Sequence, residues 1–297
     1  MLGLRRAAAL PVLVLFFVTA GCGGNGGSGG SGGGGNGGAG GAGAPGGSGS
    51  LSASPTATVT AAESPSPQVA FTDLAGVYGA KEIGELAQLG VFGATSGAFQ
   101  PTGTITRGDF VKWLVLANNA IWSNDPSKQI RIGSSATSAY PDVPTSHPDF
   151  QYIQAMYDAG FAIGFSDKQF HPDAPLTHEQ MIAIKESLDR GGIDKYYVQF
   201  WDSTMPDWKD RTQIDPRFRG AIAEDSSFDR HYPDVAVGNI GRAFGAIAMF
   251  RPTQPVTRAQ AALCLWKIGA HNESTGQAGT PRTAEDALAP SPAPSPT

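Results

Sequence analysis

The sequence predicts a repeat protein built from amphipathic helices, and three observations support this fold class. The phrase Phe-x-Pro-x-x-x-x-Thr occurs three times, beginning at Phe99, Phe170 and Phe250, at intervals of 71 and 80 residues. Apolar residues at helical spacing follow each copy, which indicates a helix with one buried face. A glycine precedes each Phe by six, six and five residues. Copies of one unit favour a repeat architecture over a single large catalytic core.

Residues 1–21 have the composition of a secretory signal peptide. Arg5 and Arg6 precede a short apolar run, and small residues lead to Cys22. This order marks a leader rather than a membrane span, which needs roughly 20 apolar residues. The Ala-Gly-Cys22 sequence resembles a bacterial lipobox, which implies cleavage before Cys22 and lipid attachment to it. The alternative is an ordinary secretory signal that leaves Cys22 as a free thiol.

Two segments, residues 22–67 and 271–297, are predicted to be disordered. The first is dominated by Gly, Ser, Asn, Ala, Pro and Thr, and the second by Pro, Ala, Ser and Thr. Such segments bury too little apolar surface to offset the entropy lost on ordering. A flexible chain as long as the first segment spans roughly 35–40 Å on average. Residues 68–270 remain as the folded part, which is long enough for a core.

Charge and cysteine content exclude several classes of function. The formal net charge is −5 at pH 7, and an acidic chain is a poor candidate for binding nucleic acid or an anionic lipid surface. The chain has two cysteines, so with Cys22 lipidated neither an intrachain disulfide nor a cysteine-rich metal site can form. Cys264 occupies the helical register of Trp113 and Ile184 in the other copies, so we expect it in the core.

Each copy ends in a helix whose start is marked by a capping sequence. The caps are Thr-x-x-acid or Thr-x-x-amide, beginning at Thr106, Thr177 and Thr257. The Thr hydroxyl accepts from the backbone of the third helical residue, whose side chain reaches back to the Thr backbone. A shorter amphipathic helix precedes the first two phrases and stops at Gly90 or Gly160, the position typical of a helix C′ residue.

These motifs together resemble the S-layer homology domain, whose pattern runs F-x-D, a helix that begins with Trp, L-x-x-G-I-I-x-G, F-x-P and T-R-A-E. The first copy supplies Phe71-Thr-Asp73, Leu89-Gly-Val-Phe-Gly93, Phe99-Gln-Pro101 and Thr106-Arg-Gly-Asp109. The second supplies Tyr140-Pro-Asp142, Ala159-Gly-Phe-Ala-Ile-Gly164, Phe170-His-Pro172 and Thr177-His-Glu-Gln180. The repeats predicted from this resemblance are residues 68–125, 137–195 and 198–270.

The third copy is irregular, and its start stays open between two positions. One interpretation opens it at Phe200-Trp-Asp202, with Trp208 in the place of the family's tryptophan and a first helix over about 215–224. The alternative opens it at Tyr232-Pro-Asp234 and leaves almost no first helix.

The resemblance implies an all-α fold with pseudo-threefold symmetry. One long helix from each repeat joins a central three-helix bundle, and short prong helices surround it. It also implies non-covalent binding of cell-wall glycan, typically an anionic secondary polymer that carries pyruvyl groups. It implies no cofactor, no metal and no catalytic residue, and it leaves protein partners unknown.

The family pattern supplies the candidate ligand-binding residues. Arg107 and Arg258 hold the T-R position, where a guanidinium can bind a planar carboxylate through two parallel hydrogen bonds. The helix start also favours an anion. The alternative is that both arginines brace neighbouring repeats. The full set is Arg107, Arg258, Thr106, Thr257, Gly93, Gly164, Trp208 and Asp73.

The remaining candidates have structural alternatives as well. Gly93 and Gly164 would let a ligand approach the backbone closely; the alternative is that they serve only as helix caps. Trp208, and by position Tyr78, would stack on a sugar face, although Trp208 could instead be core. The second copy has His178 in place of Arg and Pro148 in place of Trp. We therefore expect fewer than three competent grooves, with the two arginines as the best anchors.

Three functional hypotheses follow. The first is a lipid-anchored glycan binder of the bacterial envelope, in which two weak attachments joined by a flexible arm reinforce each other. The second is a scaffold that binds a protein partner. The third, an enzyme, has little support. His178-Glu179 lacks a second His at the metalloprotease spacing, and the repeat motifs account for the carboxylates of Asp202 and Asp207 without a glycosidase pair.

Overall fold

The structure is a computed structural model that describes residues 68–133, 135–161, 164, 167–189, 205–231, 238–269 and 281–290. These residues belong to the second of two units into which the chain divides, Ala62–Thr297. The signal peptide, Cys22 and the linker predicted over 22–67 lie outside the described residues. Both proposed openings of the third copy, at Phe200–Asp202 and Tyr232–Asp234, also lie outside them.

Helices dominate the described part of the chain, which agrees with the predicted all-α class. The helices are α1 (Ala80–Gln88), α2 (Arg107–Ile121), α3 (Phe150–Asp158), α4 (His178–Asp189), α5 (Arg219–His231), α6 (Asn239–Phe244), α7 (Arg258–Leu265) and α8 (Ala284–Leu288). Strand β1 (Ala70–Phe71) pairs in parallel with β2 (Ser96–Gly97), and β3 (Lys267–Ile268) pairs antiparallel with β4 (Arg282–Thr283). Single 3-10 turns cover Pro126–Lys128 and Arg211–Gln213.

The three predicted capping sequences all stand at helix starts, but they are not equally complete. The hydroxyl of Thr106 accepts from the Asp109 N–H at 3.1 Å. At Thr257 the box is reciprocal, since the backbone N–H also donates to the Gln260 amide at 2.9 Å. At Thr177 the backbone N–H donates to the Gln180 side chain, while the buried hydroxyl has no hydrogen-bond partner.

A closed ring of three backbone hydrogen bonds joins the phrases. Ile105 N–H donates to the Val256 carbonyl at 3.2 Å, and Val256 N–H donates to the Leu176 carbonyl at 2.8 Å. Leu176 N–H closes the ring on the Ile105 carbonyl at 2.9 Å. All three side chains are at most 1% exposed. The ring therefore satisfies buried backbone groups and brings the starts of α2, α4 and α7 together.

The first N–H groups of these helices are also bonded across copies. Such groups have no partner within their own helix. Those of α2 donate to carbonyls of the second phrase, those of α4 to the third and those of α7 to the first. The bonds run from Arg107 to Ala174, Gly108 to Pro172, His178 to Gln254, Glu179 to Pro252, Arg258 to Gly103 and Ala259 to Pro101, at 2.8–3.1 Å.

An aspartate holds the backbone of each Phe-x-Pro phrase. Both oxygens of Asp73 and of Asp142 accept the N–H groups of the Phe and the following residue. Asp210 does the same for Phe250 and Arg251, at 2.9 and 2.7 Å. The residue after each Phe has a positive φ of 53–60° without being glycine. The carboxylate thus stabilises a backbone conformation that is otherwise unfavourable.

This geometry places the aromatic-x-Asp of the third copy at Trp208-Lys-Asp210. The Trp208 ring stacks on Phe250 with centroids 4.9 Å apart, as Phe71 lies 5.4 Å from Phe99 and Tyr140 lies 5.4 Å from Phe170. Asp210 therefore holds the role that the sequence analysis gave to Asp202 or, in the alternative, to Asp234. The prediction that Trp208 corresponds to the tryptophan at the start of the family's first helix was wrong, since Trp208 is the aromatic residue that opens the third copy.

The first helix of each copy packs on the helix that follows a capping Thr of another copy, in a consistent order. Helix α1 contacts α7, α3 contacts α2, and α5 contacts α4. The first helix of the third copy, predicted over about 215–224, begins at Arg219 and runs to His231. An additional helix, α6, follows it and packs on α7. Cys264 is fully buried in α7, as predicted, and burial raises its pKa to about 12.

A buried polar cluster fixes α6 to its neighbours. The Asp225 carboxylate accepts the first N–H groups of α6, from Asn239 at 2.7 Å and Ile240 at 2.8 Å. The Asn239 amide donates to Glu186 and Asp189 of α4, at 2.7 and 3.1 Å. Asp225, Asn239 and Glu186 are all unexposed. Side chains of α4 and α5 thus determine where the extra helix begins.

The prediction of a disordered tail is corrected for residues 281–290. Strand β4 pairs with β3, and α8 packs on α1 and α2. Thr283 and Asp286 form a reciprocal capping box, and Ala284 is completely buried. Lys81 of α1 lies 2.9 Å from Glu285. The prediction from composition did not take account of a Thr-x-x-Asp cap in the tail. This cap starts a helix with a small buried face.

Replacing Asp210 by Ala should lower the free energy of unfolding by about 3 kcal/mol, because two buried N–H groups lose a charged acceptor. Chemical denaturation measures the change. Asp202→Ala is the matched control and should cost well under half as much. Equal losses, or a larger loss at Asp202, would show that the third copy opens at Phe200.

Replacing Thr283 by Ala should destabilise the protein by about 1 kcal/mol, since the N-cap of α8 is lost. Thr253→Ala, at an exposed position, provides the control. A Thr283→Ala protein with the wild-type denaturation midpoint would mean that residues 281–290 do not support the fold.

Candidate functional site

The candidate site lies where the residue after each capping Thr reaches the next copy. The Nε–H of Arg107 donates to the Phe170 carbonyl at 2.8 Å, and that of Arg258 donates to the Phe99 carbonyl, also at 2.8 Å. His178 Nδ1 lies 2.9 Å from the equivalent carbonyl of Phe250. We name these the first-second, third-first and second-third junctions, after the copies they join. All three side chains brace neighbouring copies, which was the structural alternative for the arginines.

Arg107 is enclosed at the first-second junction. Its side chain is 2% exposed, and the guanidinium carbon lies 4.7 Å from the centre of the Phe170 ring. Burial lowers its pKa to about 10, so the group remains charged at neutral pH. Because almost none of it reaches the surface, Arg107 is a bracing cation and a poor anchor for an external carboxylate.

Arg258 is half-buried at the third-first junction, and only part of its guanidinium is engaged in contacts within the protein. Its guanidinium carbon lies 4.6 Å from the Trp113 ring centre and 5.0 Å from that of Phe99. Burial lowers its pKa, an effect opposed by the charges of Asp109 and Asp73. Apart from the Nε bond, its guanidinium nitrogens have no hydrogen-bond or ion-pair partner among the described residues. The terminal edge is therefore held in place and available.

The backbone N–H groups that we expected to attract an anion are already occupied. The first two N–H groups of α2 and α7 donate to carbonyls of another copy, and the third donates to the capping Thr hydroxyl. This corrects the helix-start part of the anion-site prediction. The hydroxyls of Thr106 and Thr257 act as caps, so any charge recognition at these junctions depends on the guanidinium groups.

The predicted glycines differ in what they do. Gly93 is exposed, has φ of 68°, and has open space where a Cβ would point. A Cβ on Gly164 would lie 2.7 Å from the Tyr140 ring. Gly164 is therefore required for packing of the second copy, whereas Gly93 permits a turn at the surface.

The aromatic candidates also differ in their exposure. Trp208 is 7% exposed and stacked on Phe250, so it belongs to the core and does not offer a face to a sugar. Tyr78 is 73% exposed, and the adjacent Gly79 packs against Leu263 of α7, the helix that begins with Arg258. Asp73 is partly exposed, and the N–H groups of Phe99 and Gln100 lower its pKa.

The second-third junction borders a cavity of about 440 Å³. His178 forms part of its wall, is 5% exposed and stacks on Phe244 at 4.1 Å. Lys209 and Arg251 also line it, and the lining contains no acidic residue. Sequence reasoning expected a weak groove here because His178 replaces the arginine and Pro148 replaces the tryptophan of the second copy. The two cations lie outside the motifs, and no sequence signal linked them to His178.

A larger cavity, of about 740 Å³, lies near the ends of α2, α3 and α4. Its wall includes Trp122, with the Lys128 ammonium 3.8 Å from the ring centre, and Arg131. None of the predicted site residues lines it, and the sequence analysis did not find it.

Two segments of the chain, residues 70–111 and 139–182, match the S-layer homology domain model. The chain therefore contains S-layer homology domain sequence in these two segments. Domains of this family occur in cell-surface proteins and anchor them to the wall through secondary cell-wall polymers. The matched segments contain the first two phrases, together with Arg107 and His178 but not Arg258.

An endoglucanase of Bacillus sp. (strain KSM-635) is 25% identical to this chain over 187 residues. The similarity covers 61% of this chain and 17% of the relative, so the chain spans about a sixth of that protein's length.

Within the described ranges, no group of three or more His, Cys, Asp or Glu residues is placed to hold a metal ion. In the same part of the chain, the helices are too short or too polar to cross a bilayer.

His178 should make stability depend on pH. Burial lowers its pKa below 6.5, an effect that Arg251 reinforces and that Asp210 and the Phe250 carbonyl oppose. The unfolded chain therefore binds a proton that the folded chain does not, and stability falls as pH drops below about 6.5. His178→Arg, which is charged in both states, should lose less stability between pH 7 and pH 5. Denaturation at both pH values measures this, and equal losses would contradict it.

Proposed function

We propose that the protein binds an anionic cell-wall glycan at the third-first junction, with Arg258 as the anchoring cation. The observation that supports this is the partly exposed guanidinium, fixed at Nε and unpartnered at its terminal edge among the described residues. A carboxylate of a sugar acid or pyruvyl group fits that edge through two parallel N–H···O bonds.

The surroundings of Arg258 prepare it for this role. Trp113 and Phe99 lie beneath the guanidinium, which restricts its orientation before a ligand arrives. Each oxygen of Asp73 accepts one backbone N–H at this junction and keeps acceptor capacity for a sugar hydroxyl. A ligand with both a carboxylate and hydroxyl groups therefore fits better than a simple anion.

The three junctions are then unequal in function. Arg107 is enclosed, and His178 carries no charge at neutral pH, so the third-first junction is the one full cationic site among those described. This narrows the sequence expectation of two arginine anchors to one.

We further infer that three repeats make up the unit and are related by pseudo-threefold symmetry, with the third opening at Trp208. The closed ring through Ile105, Leu176 and Val256 supports this arrangement. With lipid at Cys22 and a flexible arm over 22–67, the unit would tether a membrane-anchored lipoprotein to the wall of the bacterial envelope. The function proposed is binding, not catalysis.

A protein-binding scaffold is the second candidate. It is favoured by the enclosure of Arg107 and Trp208, because two predicted recognition groups serve the core instead of a ligand. In that case the wall polymer would not be required for retention on the envelope.

Arg258→Ala should reduce pelleting of the full chain with purified wall sacculi by roughly 10- to 100-fold, because a charged hydrogen-bond pair contributes about 1.5–3 kcal/mol. Arg258→Lys should recover only part of the loss, since the fork geometry is missing. Arg131→Ala, at an exposed arginine away from the junctions, is the control.

Mild acid extraction of secondary polymer from the sacculi tests the ligand. Wild-type protein should no longer pellet with extracted walls. Equal pelleting before and after extraction, or unchanged binding by Arg258→Ala, would refute the proposal. Release of soluble sugars would point to an enzyme.

A further inference from the structure

We propose that the cavity of about 740 Å³ at the second copy is a docking site for a short amphipathic helix of a partner protein. The partner helix presents apolar residues at positions i, i+3 and i+4, and an acidic residue to Lys128. We name this surface the second-copy face, and its lining includes Ala155, Ala159, Phe161 and Leu188. The inference goes beyond the proposed glycan binding and does not depend on it.

In the first and third copies, a short helix covers the equivalent face. Each such face lies between the first helix of a copy, the helix after its capping Thr, and the end of a long helix from another copy. In the third copy α6 contacts α5, α7 and α4. In the first copy α8 contacts α1 and α2, while β4 pairs with β3, which follows α7. Two copies therefore complete this face with an additional helix.

In the second copy the cavity lies at this position. Its lining contains Ala155 of α3, Leu188 of α4 and Asn118 of α2. These helices correspond to the ones that hold α6 and α8, because α3 packs on α2 as α1 packs on α7 and α5 on α4. Among the described residues no α-helix fills the cavity, whose wall also includes the 3-10 turn Pro126–Lys128. The face is therefore complete in two copies and open in the described part of the second.

The two covering helices define the shape of the occupant. Both bury apolar residues at i, i+3 and i+4 against the protein, in whole or in part. These residues are Ile240, Ala243 and Phe244 in α6, and Ala284, Ala287 and Leu288 in α8. The second-copy face offers matching apolar surface, since Phe161 and Leu188 line the cavity and are partly exposed. A helix with this spacing fits such a groove.

Lys128 gives the occupant a charge preference. In the first copy the Lys81 ammonium lies 2.9 Å from the Glu285 carboxylate of the covering helix. At the second-copy face, the Lys128 ammonium lies 3.8 Å from the centre of the Trp122 ring. No carboxylate among the described residues lies within 4 Å of it. An acidic residue on the partner helix therefore repeats the contact made by Glu285.

The carboxylates of the lining are already engaged within the protein. Asp189 is 3% exposed and bonded by Lys185 and by the Gly269 N–H, the latter at 3.0 Å. Asp158 accepts from the Gln154 amide at 2.7 Å. An exposed ion pair at Lys128 adds little affinity, so the apolar residues provide most of the binding and the acid determines which helix binds.

The test adds a synthetic peptide to the full-length chain and follows leucine and isoleucine methyl groups by NMR. The peptide has the sequence of residues 281–290 with both ends blocked, because this segment forms the helix that covers the first copy. Leu188 and Ile130 report on the second-copy face, and Leu288 reports exchange with the chain's own α8. Leu188→Met, Ile130→Val and Leu288→Met assign the three signals.

We expect the peptide to shift the Leu188 and Ile130 signals saturably and to leave the Leu288 signal in place. A peptide with Ser at the positions of Ala284, Ala287 and Leu288 should bind more weakly by about tenfold or more, because it cannot bury apolar surface. Lys128→Glu should weaken binding roughly threefold, since an attraction becomes a repulsion. That loss should be smaller for a peptide carrying Glu285→Gln.

A matched pair of variants locates the binding. Ala159 is exposed and lines the cavity, so Ala159→Arg obstructs the face without disturbing the core and should abolish the shifts. Gln151→Arg adds the same charge at an exposed position of α3 outside the cavity. It should leave peptide binding unchanged.

Four results would overturn the proposal. They are an unmoved Leu188 signal, a shift confined to Leu288, equal binding by the serine peptide, and a Leu188 signal that moves with protein concentration alone. The last would make a second copy of this chain the occupant. Arg258→Ala should keep peptide binding and Ala159→Arg should keep sacculus binding, so failure of the helix site is distinguishable from failure of the glycan site.

Discussion

The structure depends on one constraint, which is that the starts of three helices must satisfy their backbone groups against each other. The ring through Ile105, Leu176 and Val256 does so without water. Helix starts normally need caps or solvent for their free N–H groups. Here the next copy supplies the carbonyls, so no copy can complete its own helix start. The three helix starts therefore depend on one another.

The same constraint explains why one side-chain position contributes to folding and, in the proposed function, also to recognition. The residue after each capping Thr must donate to the Phe carbonyl of the next copy. Arg does so through its Nε–H, and His does so through Nδ1–H. The part of each side chain that is not used in that bond determines its further chemistry. Arg258 retains a cationic edge, Arg107 is enclosed, and His178 retains a lone pair. Functional divergence at this position thus leaves the fold intact.

Much of the fold could be predicted, because the signals were local. The capping motifs predicted the helix starts at Thr106 and Thr257. Helical spacing predicted the burial of Cys264. The opening at Asp210 could not be found, since Asp202, Asp207 and Asp210 all stand near an aromatic residue. Only the two N–H bonds at Phe250 identify the right one. Burial of Arg107 was equally hidden, because exposure depends on neighbours distant in sequence.

In the proposed binding mode, the acidic residues beside Arg258 contribute to selectivity between ligands. At the third-first junction the charges of Asp73 and Asp109 partly offset the lowering of the Arg258 pKa by burial, and they would also oppose the approach of a bare anion. In the proposed complex, a glycan would offset this repulsion by donating its hydroxyls to the same carboxylates. A free carboxylate lacks those donors and would retain only the guanidinium contact. The acidic neighbours would then weaken binding of simple anions more than binding of polymer, in favour of a hydroxyl-rich acidic ligand.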